Sequence, residues 1–172
     1  MHIRPGTMLA PLALALAPAL AAAQGLYGST VEGSLLFPTA SDVAAGPISA
    51  TVGPDVEFPA DAFLPGRNFA TDIGEAQLVY LPGETTTYGA ADYNGFRFVF
   101  SGAPDIVAVT LHAGSTFAPV SFEWTANSLS FDLSGLSVTA SDRLEFTVST
   151  VPELPTAGLL VAGLWALGAI GS

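Results

Sequence analysis

Apolar and polar residues alternate with a period of two through most of residues 25–150, and clusters of Gly, Pro, Asn and Asp interrupt the alternation. A period of two places successive side chains on opposite faces of a strand. Leu144, Phe146 and Val148 therefore share one face, with Glu145, Thr147 and Ser149 on the other. Leu129, Phe131 and Leu133 alternate with Ser128, Ser130 and Asp132. Val120, Phe122 and Trp124 alternate with Ser121 and Glu123, and Phe96, Phe98 and Phe100 with Arg97 and Val99. Two further stripes are Val107, Val109 and Leu111, and Val31, Leu35 and Phe37. Almost no helical periodicity is present between residues 25 and 150.

The breaks carry turn chemistry. Asn94-Gly95 precedes the phenylalanine strand, and Gly102-Ala103-Pro104-Asp105 follows it. His112-Ala113-Gly114-Ser115 and Ser134-Gly135 close two other runs. Ala126-Asn127 separates two runs so closely that they must form a hairpin. Residues 38–74 are less regular, and short strands are expected near 48–52, 55–58 and 68–73. A strand over 76–80 should lead into a long hairpin loop, 81–94. No internal repeat emerges from the pattern. Short, evenly spaced strands of this kind predict an all-β domain, an antiparallel β-sandwich of which the jelly roll is one variant.

Both ends depart from the pattern. Residues 1–23 combine His2 and Arg4 with an alanine- and leucine-rich run from Met8 that ends in Ala21-Ala22-Ala23. This is the layout of a secretory signal peptide, with cleavage expected before Gln24 by signal peptidase. At the other end, Pro152, Glu153 and Pro155 break the backbone ahead of an uncharged apolar stretch from Ala157 to Ile170. Being apolar on all sides, that stretch reads as a C-terminal apolar helix in the membrane. Gly158, Ala162 and Ala166 put small residues at every fourth position of it. The expected organisation is signal peptide 1–23, β-sandwich domain 24–150 and sorting or transmembrane segment 151–172.

Composition sharpens the picture. There is no cysteine, which excludes a disulfide framework, a thiol nucleophile and thiolate metal sites. Fifteen acidic residues stand against four basic ones, all arginine, for a net charge of −11. Nucleic-acid binding depends on neutralising phosphates with Lys and Arg, so it is not expected here. The acids are scattered and read as a solvated surface. No D-x-[DN]-x-[DN]-G loop occurs, which leaves calcium only weak ligation by loop carboxylates.

Catalytic chemistry has little to stand on. After the signal peptide the chain keeps one histidine, His112, at the end of an apolar strand where a surface or edge role is expected. One histidine makes a zinc site improbable. Neither G-x-S-x-G nor H-E-x-x-H occurs. Glu123 and Asp132 fall on the polar face of neighbouring strands and are the one carboxylate pair with a geometric case for glycoside hydrolysis. Solvent exposure is the plainer reading of that pair, so no catalytic residues, metal or cofactor are expected. Tyr88, Asp92, Tyr93 and Asn94 are a candidate glycan-binding set, with tyrosines to stack a sugar ring and polar neighbours to bond its hydroxyls. The same tyrosines would otherwise cover the end of the core.

Val151-Pro152-Glu153, then Pro155 and an apolar span close to the carboxyl end, resemble the PEP-CTERM sorting signal of Gram-negative, exopolysaccharide-producing bacteria. Leu154 stands where the second proline of that signal is usual, and the tail reads Ile170-Gly171-Ser172 in place of an arginine cluster. The stretch from Asn94-Gly95-Phe96-Arg97-Phe98 to Ser101-Gly102-Ala103-Pro104 is similar to domains carried by such proteins. The resemblance implies a precursor held in the inner membrane and an exosortase-like membrane protease-transpeptidase acting at Val151, Pro152, Glu153 and Pro155. It further implies delivery to the cell surface or extracellular matrix. The expected function is that of an exported, non-enzymatic surface or matrix protein. The alternative is a carbohydrate-binding module of the exopolysaccharide matrix.

Overall fold

The computed structural model describes residues 25–151. The expected signal peptide, C-terminal apolar helix and most of the sorting motif lie outside the described residues. Among those residues the chain is all β, without a helix. The strands are β1 (Thr30–Leu36), β2 (Val43–Thr51), β3 (Ala70–Ile73), β4 (Gln77–Leu81), β5 (Thr86–Thr87) and β6 (Gly95–Ser101). They continue with β7 (Ile106–Leu111), β8 (Ser121–Thr125), β9 (Ser128–Asp132), β10 (Ser137–Val138) and β11 (Leu144–Thr150). One sheet has the order β2-β1-β6-β9-β8 and the other β3-β4-β11-β7, with β5 and β10 forming a small third ladder. Every pairing is antiparallel. The first and last strands do not pair with one another, as they would in a jelly roll.

The two larger sheets meet through rings. Tyr80 of β4 lies 5.1 Å from Phe96 of β6 and 5.6 Å from Phe131 of β9. Phe146 of β11 lies 5.5 Å from Phe131. Phe96, Phe98, Leu129, Phe131, Leu144 and Phe146 are fully buried, as their period-two stripes require. The arrangement is consistent with two sheets layered over one core.

The irregular region after β2 contributes to that core without becoming sheet. Within residues 54–69, Phe58 makes one isolated bridge to Thr71 in place of the expected strand over 55–58. Phe58, Phe63 and Phe69 still insert their rings among Phe96 and Phe98. Gly33 of β1 makes the room: a Cβ there would lie 2.7 Å from the Phe63 ring and 2.9 Å from that of Phe58.

Four expectations are corrected. Residues 81–94 do not close a hairpin, because β4 and β6 lie in different sheets. The segment crosses between them and pairs on the way as β5 with β10. Asn94-Gly95 is not a turn. Gly95 is the first residue of β6, opposite Asp132, where a Cβ would lie 1.9 Å from the Phe131 carbonyl oxygen. The valine stripe of β7 is broken by a bulge: Thr150 faces Ile106 and Ser149 faces Ala108, so Val107 is the extra residue. Ile106 is buried in its place and Val107 is 56% exposed. Finally, Val120 and Trp124 remain exposed although in phase with Phe122, because β8 is an edge strand where the core thins.

The described chain enters and leaves at one end of the sheets. The Leu26 N–H donates to the Glu75 carbonyl (2.8 Å), and the Val151 N–H to that of Asp105 (2.9 Å). Thr30 pairs with Ser101 there, and the turn between β8 and β9 lies beside them, its Asn127 carbonyl accepting the Phe100 N–H.

Candidate functional site

Register fixes which polar side chains share a surface. Ser34 of β1 faces Arg97 of β6, Arg97 faces Ser130 of β9, and Ser130 faces Glu123 of β8. These four form one row on the face opposite the buried rings. The next row sets Leu36, Gly95, Asp132 and Ser121 side by side. Tyr93, just ahead of β6, folds over these rows. Its N–H donates to the Pro38 carbonyl (2.9 Å) and its hydroxyl to the Phe96 carbonyl (3.3 Å). The result is a hollow of about 270 Å³ lined by Tyr93, Arg97, Ser121, Glu123 and Ser130 together with the apolar Leu36, Ala40 and Phe122.

Two features define its electrostatics. Burial pushes the Tyr93 phenol up to about 12, with a hydrogen bond from Ser130 acting the other way. Tyr93 therefore stays a neutral phenol at any physiological pH. Arg97 forms no ion pair among the described residues. By contrast, Arg67 meets Glu84 at 3.2 Å and Arg143 meets Glu145 at 2.8 Å.

The four candidate glycan residues do not share one platform. Tyr88 is 8% exposed, and its hydroxyl hydrogen-bonds that of Tyr80. The backbone holds it there: the Tyr88 N–H donates to Leu136 and its carbonyl accepts from Gly135. Tyr88 therefore covers the core. Burial raises the phenols of both Tyr80 and Tyr88 above the ordinary tyrosine range. The edge of Tyr88 and Asn94 line a different groove of about 290 Å³ with Leu35, Phe37, Arg67 and Phe69. The Asn94 amide is spent on the Gly89 carbonyl (3.0 Å). Asp92 is exposed. Tyr93 alone reaches the polar hollow.

The carboxylate pair resolves into two roles. Asp132 is buried, and its Oδ1 accepts the N–H groups of Asn94 and Ser134, each at 2.9 Å. It fixes two loops to the end of β9. Glu123 is exposed and stands in the row with Arg97. His112 accepts the Gly114 N–H at Nδ1 (3.0 Å) and lies 3.4 Å from Glu145, which Arg143 already engages. The His112 ring thus closes the turn after β7. No group of three or more His, Asp or Glu side chains able to hold a metal occurs among the described residues.

Arg97 and Ser130 were absent from the candidate set read from the sequence. The signal that finds them is the polar phase of each strand: once β6, β9 and β8 are set side by side, that phase puts Arg97, Ser130 and Glu123 in one row. Strand neighbours are the missing information. No protein-family model, curated protein or solved structure matches the chain.

Proposed function

We propose that the chain is an exported, non-enzymatic β-sandwich module, delivered to the cell surface or extracellular matrix by its C-terminal sorting segment. The observation that carries this reading is the placement of the motif directly after the last strand. β11 stops at Thr150, and Val151, the first residue of the motif, is exposed. A membrane protease-transpeptidase acting near Pro152-Glu153 would therefore meet a junction outside the sheet, and cutting there would leave every strand intact. The apolar runs at residues 8–23 and 157–170, flanking a half-polar β-domain, support the same reading.

The experiment is intact mass spectrometry with cell fractionation of the mature protein from its own host. The expected product lacks residues 1–23 and ends between Val151 and Pro155 in the surface or extracellular fraction. A membrane-bound product that keeps Trp165 replaces sorting with plain anchorage. A cytoplasmic product retaining both apolar segments overturns export.

A further inference from the structure

We infer that the hollow beneath Tyr93 is a binding site for an acidic sugar, a pyranose bearing a carboxylate, held by Arg97 at one end and Glu123 at the other. The inference does not rest on the export reading and can be tested on the isolated protein.

Arg97 supplies the anion requirement. It projects from β6 on the face opposite the phenylalanine stripe and forms no ion pair among the described residues. A guanidinium presents a planar fork that matches a carboxylate with two parallel N–H donors. In a chain of net charge −11, an uncommitted cation set in a hollow is an uncommon feature. The other two described arginines are both neutralised by glutamates.

The sugar requirement comes from the rest of the lining. Arg97 and Glu123 stand two strands apart with Ser130 between them, which separates their backbones by about 10 Å. The hollow, about 270 Å³, has room for a single hexopyranose against those positions. Its carboxylate meets the guanidinium, and its far hydroxyls donate to the Glu123 carboxylate. Ser121 offers a hydroxyl on the same surface, while that of Ser130 donates to the Glu123 carbonyl (3.5 Å) and braces the site. Tyr93 sits over the strands with backbone and phenol both tied down, so its ring is an ordered apolar surface for the C–H face of a sugar. A bare anion would use Arg97 alone, and a neutral sugar would leave the guanidinium without a partner.

The test is calorimetry and saturation-transfer NMR on the full chain in mild detergent, with galacturonate, galactose and acetate as probes. Galacturonate is expected to bind about tenfold or more tightly than either of the others, since one charge-assisted contact separates it from galactose. Arg97→Gln should bring galacturonate down to the galactose level. Arg97→Lys keeps the charge and loses the fork, and should fall between. Both substitutions lie on the outer face, so an unchanged melting temperature shows that the fold is kept. Glu123→Gln should leave the preference for galacturonate over galactose in place. Equal binding of galacturonate and acetate would make this a simple anion site and overturn the assignment. So would equal binding of galacturonate and galactose, an unchanged affinity in Arg97→Gln, or no binding of galacturonate in the millimolar range.

Discussion

At the residue scale, glycines and tyrosines decide most. At Gly95 the obstacle to a side chain is the backbone of β9, which cannot rotate away. Gly95→Ala is expected to cost about 1–3 kcal/mol, as overpacked core substitutions do. Gly53→Ala, whose Cβ would meet nothing nearer than 4.0 Å, should change stability by no more than about 0.5 kcal/mol. Urea denaturation of the two variants checks the contrast. The buried phenols make a second prediction. The folded values of Tyr80, Tyr88 and Tyr93 lie above the unfolded value of roughly 10. Their contribution to stability is therefore complete below that pH and is lost as pH rises through the folded values, about 12 for Tyr93. Alkaline titration followed by tyrosinate absorbance and sheet circular dichroism should show these phenols ionising only as the sheets are lost. Ionisation of more than one of the four tyrosines near pH 10 with the sheets intact would refute it. One residue-scale device is a turn used twice. Thr39-Ala40-Ser41-Asp42 and Thr139-Ala140-Ser141-Asp142 are the same tetrapeptide and form the same turn, with threonine-to-aspartate bonds of 2.7 and 3.0 Å. Four residues are too few to register as a repeat, yet enough to specify a turn.

At the scale of elements, the region between β2 and β3 behaves as core despite its irregular backbone. Phe58→Ala should cost about 3–5 kcal/mol, as removal of a fully buried ring does, whereas Val56→Ala, on an exposed side chain nearby, should stay within about 0.5 kcal/mol. Thermal melts of both variants decide it, and equal effects would mean that the Phe58 ring is not part of the core. The stripes of β6, β9 and β11 could be read directly from their alternation, because these strands lie inside their sheets with one face on the core. In β1, Val31 and Leu35 are buried as expected, but Phe37 lies past the end of the strand and is exposed. The stripes of β7 and β8 misled for one shared reason. Both are edge strands, where a bulge or a thinning core breaks the link between apolar phase and burial. The crossing at residues 81–94 was not legible either, because local turn residues do not say which sheet the next strand joins. The candidate site suffered from the same gap. Tyr88 and Tyr93 are neighbours in sequence, but the β5–β10 ladder draws one into the core and leaves the other over the outer face of β6 and β9.

On the scale of the whole molecule, the strand register gives the domain a direction. Thr30 faces Ser101 where the chain enters, while Leu36 faces Gly95 at the opposite end, beside the Tyr93 hollow. The seven residues of β6 separate those ends by about 20 Å. Both connections to the rest of the chain therefore leave from one pole, and Arg97 and Tyr93 sit toward the other. A tag joined to either end of residues 25–151 would therefore emerge away from the hollow.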